Sequence, residues 1–331
     1  MDATIPDLLR LLAVPVLGWA AVRDARTRRV PNRTWYPLAA LGVLLLLWEA
    51  VSMGLEGSGF GLFLLRTVLG IGIVGALALG FWFLGSFGGA DAKAFLVIAV
   101  LFPTYPAYGV LGTTLPVVVT DLGIFSLSIL TNAVLVGGTY PLALAVANAR
   151  SGHVSPLAFV ARRVSVSSLP QRYGTLLDTD GSFTQSGLDL DAFRMYLRWR
   201  RTDLATLRST PQLVDPGTLP REPGNPTDGA VEVEGATDHL DVDRTGQANW
   251  DDGPIEDRWG AAAFLADIDT TAYGTDPEDL RAALDRIVEA ESVWVSPGIP
   301  FIVPTFLGLL LALTVGDLLY LGLLWFGIVG P

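Results

Sequence analysis

Long apolar runs follow one another along most of the chain, and a helix that crosses a bilayer needs roughly 20 mostly apolar residues. The run from Ala94 to Ala149 carries a single charge, Asp121, and is too long for one helix. It therefore predicts two helices joined by a loop over 112–122 that is rich in Gly, Thr and Pro. The remaining predicted spans cover 6–22, 36–53, 60–87 and 301–329. The pattern is that of an all-α polytopic membrane protein with about six transmembrane helices.

One hydrophilic block separates the fifth predicted span from the last. It carries a net charge of −11, which equals the net charge of the whole chain, so all the excess negative charge lies within it. We therefore predict a membrane domain over 1–149, an acidic cytoplasmic insertion over 150–296, and a last transmembrane helix within 297–331. The insertion is expected to be partly helical and partly a linker.

Inside the insertion, apolar residues at helical spacing predict helices over Leu188–Leu207 and Asp276–Ala290. The stretch 209–253 is rich in Pro, Gly, Asp and Thr, a composition typical of a mobile linker. The acidic residues from Asp178 to Gly181 invite comparison with a calcium loop, but the EF-hand ligand spacing fails around them. An acidic turn is the better interpretation.

Composition excludes several kinds of chemistry. Without cysteine there is no thiolate nucleophile, disulfide or cysteine-based zinc site, and neither His153 nor His239 has a partner at metal-ligand spacing. We predict no metal and no cofactor. A nucleic-acid partner is disfavoured because phosphate binding needs a basic face. An acidic, lysine-poor surface resembles proteins of salt-accumulating archaea; a GC-rich genome with a disordered acidic loop is the alternative.

Arginine placement predicts the orientation, because short cytoplasmic loops are enriched in Lys and Arg. Five arginines lie in the first loop, between Arg23 and Arg33, which places that loop in the cytoplasm and the N-terminus outside. Counting onward, the Asp91 loop and the insertion are cytoplasmic, and the Asp121 loop and the C-terminus are external. We expect a multi-pass protein of the cell membrane.

Asp24 and Asp91 are the candidate catalytic residues. The topology places both at the cytoplasmic membrane edge, where buried carboxylates are costly and usually functional. Two carboxylates that share one water cannot both ionise, so one can accept a proton while the other polarises a carbonyl. The structural alternative makes Asp24 a helix-end partner of Arg28, and Asp91 an N-cap with Lys93 as an interfacial anchor.

Three segments resemble the archaeal prepilin and preflagellin peptidases, which are GxGD-type aspartic peptidases. They are Asp24 with Val30-Pro31-Asn32, the run Gly88-Gly89-Ala90-Asp91-Ala92-Lys93, and Trp294 to Phe301. Alanine replaces the second glycine of the motif. The resemblance covers roughly 1–150 and 290–331 and leaves the acidic block outside. It implies that Asp24 and Asp91 cleave class III signal peptides from pilin-like and archaellin precursors, with Gly88, Gly89, Ala90, Lys93, Pro31 and Asn32 in support.

Other polar or irregular positions are weaker candidates for functional residues. Pro297, Gly298 and Pro300 either shape a substrate groove by preventing regular helix or simply form a turn before a helix. Asp317 is an ionisable group inside the last predicted span and is expected to lie far from Asp24 and Asp91. Three competing functions stay open: a GxGD protease with other membrane substrates, a transporter that uses intramembrane carboxylates for ions or protons, and a non-catalytic scaffold.

Overall fold

A computed structural model of the chain describes residues 3–54, 57, 59–84, 87–177, 187–231, 257–268, 272–298 and 300–330. It divides into two compact units. The first comprises 1–140 together with 299–331, and the second comprises 141–298.

The described residues are mostly helical, with some short strands. The helices are α1 (Ile5–Arg10), α2 (Ala13–Thr27), α3 (Trp35–Met53), α4 (Phe60–Phe83), α5 (Gly89–Leu101), α6 (Phe125–Arg150), α7 (Leu190–Trp199), α8 (Leu204–Ser209), α9 (Ala261–Asp267), α10 (Pro277–Glu289), α11 (Ile302–Thr314) and α12 (Leu318–Trp325). The strands are β1 (Tyr108–Val110), β2 (Thr113–Leu115), β3 (Arg162–Ser165), β4 (Thr175–Leu177), β5 (Gly187–Asp189) and β6 (Ser292–Ser296).

Within the described residues, four helical stretches are long and apolar enough to cross a membrane by length and composition. They are Ile5–Thr27, which joins α1 and α2, Asn32–Met53, Phe60–Phe83 and Phe125–Arg150. This agrees with a membrane protein. The fourth predicted span is represented by the 13-residue helix α5 and the last by α11 and α12, both shorter than predicted.

The last predicted span is broken between α11 and α12, which corrects the single helix expected over 301–329. Gly316 has φ 102°, and a side chain there would collide with the carbonyl of Val118. Buried Asn132 satisfies the backbone groups that the break releases. Its amide donates to the Gly316 carbonyl at 2.8 Å and its oxygen accepts the Leu318 N–H at 2.9 Å. Such a break is tolerated in a membrane only where neighbouring side chains supply these partners.

Packing in the first unit brings α5 between α3 and α4 and lays α11 along α2. The helices approach closely at small residues. A side chain at Gly42 of α3 would meet the backbone of Leu101 at 3.2 Å, and one at Gly18 of α2 would meet the Phe306 ring of α11 at 3.1 Å. These contacts set the depth at which the first turns of α5 and α11 lie beside the end of α2.

The second unit is a mixed α/β unit, so the all-α prediction is wrong for this part of the chain. Four antiparallel strands form a sheet in the order β3-β6-β4-β5. One sheet face, with Leu176, Val293 and Val295, is buried in a core shared with α7 and α10. The strands have three to five residues each, too short for their alternation to stand out in the sequence.

The helix predicted over Asp276–Ala290 is confirmed as α10, and the Asp276 side chain caps it by accepting the Asp279 N–H at 2.8 Å. The helix predicted over Leu188–Leu207 is instead two helices, α7 and α8. Arg201, with φ 53°, lies in the turn between them. Leu213, Val214 and Leu219 of the predicted linker pack against the core. Residues 232–253 of that linker and the acidic stretch 178–181 lie outside the described residues.

Candidate active site

Asp24 lies in the last turn of α2. Its side chain is buried, with 7% of the residue exposed, and its Oδ2 has no hydrogen-bond partner among the described residues. The backbone N–H of Ile302, at the start of α11, hydrogen-bonds the same carboxylate. Helix α2 ends immediately afterwards at Arg28, which adopts left-handed geometry with φ 55° and donates its N–H to the Asp24 carbonyl at 2.9 Å.

Asp91 lies in the first turn of α5. Gly88 is the extended N-cap of this helix, and its N–H donates to Oδ2 of Asp91 at 3.0 Å. A side chain on Gly88 would lie 3.1 Å from that oxygen, so glycine leaves the carboxylate accessible. Asp91 itself is half-buried. The alternative in which Asp91 is a structural helix cap is therefore partly confirmed, since Asp91 helps to cap α5. The cap uses Oδ2 of Asp91 and does not need the other carboxylate oxygen.

The two carboxylates share one electrostatic environment. The charge of Asp24 acts on Asp91, and the guanidinium of Arg28 acts on both. Ala90, the residue before Asp91, packs against the cluster that includes Ala20 and Ala21 of α2. The small side chains on both helices let the first turn of α5 approach the last turns of α2. Two carboxylates and one guanidinium thus come together from two helices and the turn that follows α2.

An aromatic cluster supports the two backbone groups that bind the carboxylates. Phe87, next to Gly88, lies with its ring centroid 4.8 Å from that of Phe301, next to Ile302. Phe95 of α5 stacks on Phe87 at 5.7 Å. Phe87, Phe95 and Ile302 were not among the residues predicted for the site, and Phe301 was named only as the last residue of the Trp294–Phe301 segment. Arg28 carried a signal, because it follows Asp24 by four residues, but we had interpreted that spacing as structural.

The supporting residues of the motif link the start of α5 to the segment before α3. Lys93 Nζ donates to Asn32 Oδ1 at 2.7 Å, which ties α5 to the turn that precedes α3. Pro31, in extended geometry, leads into that turn. Gly89 is exposed and begins α5. The structure thus brings Lys93 and Asn32 together, at the same end of α5 as Asp91.

The segment from Pro297 to Pro300 precedes α11. Gly298 has φ 60°, a backbone geometry that favours glycine, and the Pro300 carbonyl accepts the Val303 N–H at 2.9 Å. Residue 299 is outside the described residues. A role for Pro297, Gly298 and Pro300 in a substrate groove stays a prediction.

Asp317 has a structural role. It caps α12 by accepting the Tyr320 N–H at 2.8 Å, and its other oxygen accepts the Ser128 hydroxyl at 2.6 Å. Among the described residues, no cluster of three or more His, Asp or Glu side chains is arranged to hold a metal ion.

Two family sequence models match the chain. The model of the type IV leader peptidase family matches residues 11–142, and that of the archaeal peptidase A24 C-terminus, type II, matches residues 255–318. The chain belongs to the archaeal type IV leader peptidase family. A search of curated proteins finds no match to it.

The leader peptidase match includes Asp24 and Asp91, and the archaeal match includes α10, β6 and α11. We had placed the whole acidic block outside the resemblance, and this is wrong for 255–289, which the archaeal model covers. Neither of the two models extends over 143–254. The chain is thus a membrane protein of a peptidase family, and its α10 and β6 belong to the archaeal form of that family.

Proposed function

We propose that this leader peptidase is an aspartic endopeptidase that removes class III signal peptides from pilin-like and archaellin precursors, with Asp24 and Asp91 as its catalytic pair. The observation that carries the proposal is the buried Asp24 Oδ2. It has no hydrogen-bond partner among the described residues, and its charge acts on Asp91. A buried carboxylate oxygen without a partner costs about 1–3 kcal/mol or more, so a fold keeps one where chemistry requires it.

In the proposed reaction the two carboxyl groups share one proton, and the negative charge is stabilised by Arg28. The ionised carboxylate takes a proton from a water molecule as the water oxygen bonds to the scissile carbonyl carbon. The protonated carboxyl group donates its hydrogen bond to the carbonyl oxygen. The tetrahedral intermediate then collapses, the C–N bond breaks, and the leaving amine takes a proton from the pair.

The position of the pair at a helix end suits a leader that is cut next to a hydrophobic helix. Asp24 lies in the last turn of a candidate span, and Asp91 lies in the first turn of α5, so neither is at mid-depth of a long helix. We place this end at the cytoplasmic membrane surface, in keeping with the arginines that follow Asp24. A leader with a basic segment before its apolar helix would reach the pair there.

The test is cleavage of a pilin-like precursor by membranes that contain the full-length protein. Asp24→Asn and Asp91→Asn each keep the size of the side chain and one acceptor oxygen, but the amide cannot ionise or exchange the catalytic proton. We expect each variant to lose at least about 10²-fold in cleavage rate, the scale of general acid–base catalysis.

Asp317→Asn is the matched control, because it neutralises another buried carboxylate of the first unit that asparagine can replace as a helix cap. We expect it to cleave at close to the wild-type rate. Wild-type rates for either Asp24→Asn or Asp91→Asn would refute the catalytic pair. If the protein is instead a transporter or a scaffold, precursor cleavage should be absent or should not depend on Asp24 and Asp91. Cleavage of unrelated membrane peptides at equal rates would favour the broader protease.

A further inference from the structure

The loop that follows α6 exposes apolar side chains. Val154 is 87% exposed, Phe159 48% and Val160 45%. Beyond α6, the only other large hydrophobic side chain that is exposed among the described residues of the second unit is that of Tyr273. Isolated exposed apolar residues are ordinary, but three within the seven residues 154–160 are a local concentration, called the patch below, that indicates an interaction site.

The patch is fixed beside the end of a candidate membrane span. Asn148, in the last turn of α6, is buried and donates its side-chain amide to the carbonyls of Ala158 and Ala161, both at 2.8 Å. The His153 N–H donates to the Asn148 carbonyl at 2.9 Å. The loop is therefore held at the level of the last helical turn. Since α6 is long and apolar enough to cross the hydrocarbon core, we place its last turn at the level of the lipid headgroups.

The charges around the patch have one sign. Arg150, Arg162 and Arg163 are exposed on either side of the apolar residues. The sequence has no Asp or Glu from Leu122 to Leu177, although the block over 150–296 has a net charge of −11. The part of the block next to the end of the span is thus net positive, although the block as a whole is acidic. Arginine is suited to this position because its guanidinium binds phosphate oxygens in a bidentate manner.

We propose that residues 150–163 form an interfacial anchor that binds anionic lipid headgroups at the membrane surface where α6 ends. Phe159 and Val160 enter the boundary between headgroups and acyl chains, and the three arginines bind lipid phosphates. Exposed apolar side chains flanked by arginine are the composition of surface-bound segments. The anchor fixes the second unit to the bilayer independently of the peptidase chemistry.

The absence of cysteine from the chain allows a direct test, since one introduced cysteine is a unique labelling site. Full-length Val160→Cys carries an environment-sensitive fluorophore and is reconstituted in vesicles that contain a trace of lipid with a nitroxide quencher near the headgroup. One set of vesicles is phosphatidylcholine, and the other is an equal mixture with phosphatidylglycerol. Ala205→Cys, on an exposed position of α8, is the matched control.

We expect quenching at residue 160, stronger in the vesicles with phosphatidylglycerol, and little quenching at residue 205. The combined variant Arg150→Gln, Arg162→Gln and Arg163→Gln should weaken the binding of residues 150–163 to the vesicle surface. We expect the equilibrium constant for this binding to fall by roughly fivefold for each arginine removed. Arg172→Gln, Arg201→Gln and Arg221→Gln remove the same charge from exposed positions elsewhere in the unit and should leave quenching unchanged. The extra quenching in the vesicles with phosphatidylglycerol should also become smaller in about 1 M salt, where the Debye length is about 3 Å.

Quenching at residue 160 that is no stronger than at residue 205 would overturn the proposal. Quenching at residue 160 that is the same in both kinds of vesicle, or that the first arginine triple leaves unchanged, would refute the anionic headgroup as the ligand. Cleavage of precursor by the labelled protein does not enter these outcomes. The anchor and the proposed peptidase pair can therefore fail separately.

Discussion

Buried charged side chains of the first unit are held in two contrasting ways. Arg10, 1% exposed, donates to the Leu101 carbonyl at 2.7 Å and to the carboxylates of Asp7 and Glu49 at 3.0 and 2.8 Å. The positive charge of Arg10 is paired with two carboxylates, and its N–H groups have hydrogen-bond acceptors. A buried charged side chain needs both if it is not to destabilise the fold. Asp24 is about as inaccessible but keeps one oxygen without a partner in the described chain. The contrast supports a structural role for Arg10 and a chemical role for Asp24.

Arg10→Met should therefore be strongly destabilising, because it leaves two carboxylates in apolar surroundings. Removing one partner of a buried ion pair costs about 3–5 kcal/mol, and we expect a large drop in the unfolding temperature in detergent. Adding Asp7→Asn and Glu49→Gln to the Arg10→Met variant should recover part of the lost stability. Arg66→Met, which removes a hydrogen bond from the exposed guanidinium to the Leu122 carbonyl, is the control and should cost about 1 kcal/mol. Equal losses for Arg10→Met and Arg66→Met would contradict this account.

Two helix-capping aspartates of the second unit should respond to pH in opposite ways. Burial raises the pKa of Asp189 to about 6 from an ordinary 3.8, although the Asp191 N–H lowers it in part. Hydrogen bonds from Thr206 hold the pKa of Asp203 below its ordinary value. The folded state with Asp189 loses stability as pH rises from about 4 to about 6, because the unfolded chain releases that proton first. The stability that ionised Asp203 contributes is present above the unfolded pKa and is lost as pH falls through the lower folded value.

Asparagine caps helices as well as aspartate does. Asp189→Asn should therefore raise the unfolding temperature at pH 7 and have little effect near pH 4. Asp203→Asn should lower the unfolding temperature at pH 7. Thermal melts of the full-length protein, followed by tryptophan fluorescence at the two pH values, measure both effects. Shifts of the same sign at pH 7 would disprove the assignment of opposite pKa shifts.

At the scale of elements, α11 positions the site because its first residue, Ile302, donates its N–H to Asp24. The helix is fixed by a close approach to α6. An added side chain at Gly308 would meet the Ala133 nitrogen at 2.6 Å and the Ile129 carbonyl at 2.9 Å. Backbone atoms cannot move aside as a flexible side chain can. The contact therefore determines where α11 lies against α6 and hence where Ile302 meets α2.

Gly308→Ala should destabilise the first unit by about 1–3 kcal/mol, the usual cost of overpacking, and should also lower the cleavage rate. Gly72→Ala in α4 is the matched control, since nothing lies within 4 Å of the added methyl group there. Alanine favours helix over glycine by about 0.5–1 kcal/mol, so this control should be neutral or stabilising. Thermal unfolding and precursor cleavage measure the two effects. A neutral Gly308→Ala would show that α6 and α11 can separate without consequence.

At the scale of the whole molecule, the arginine distribution predicts which polar segments share a compartment. The 112–122 loop is expected outside and the segment after α6 inside. Thr113→Cys and Ser151→Cys, both exposed positions, provide unique labelling sites in this cysteine-free chain. A membrane-impermeant maleimide should label residue 113 in intact cells and residue 151 only after permeabilisation. Labelling of both in intact cells would contradict the orientation and the cytoplasmic position of the proposed catalytic pair.

Features that depend on neighbouring residues in the chain could be predicted from the sequence alone. Long apolar runs predicted a membrane protein because burial of backbone in lipid requires such runs. The start of α10 at Asp276 was predicted because the signals for a helix start lie within neighbouring residues, and the structure shows that Asp276 caps this helix. The family was indicated by short motifs around Asp24 and Asp91, and the match over 11–142 confirms it.

Features that depend on residues distant in the chain were decided by the tertiary structure. The break before α12 needs Val118 against Gly316 and Asn132 beside it, and the apolar run over 301–329 contains neither partner. The sheet pairs Arg163 with Trp294, and strands so short depend on that partner for their conformation. The environment of Asp24 likewise depends on Ile302. The sequence by itself thus determined the apolar spans and the residue types of the site, since both follow from local composition. Only packing across long separations decided which backbone groups surround the two carboxylates.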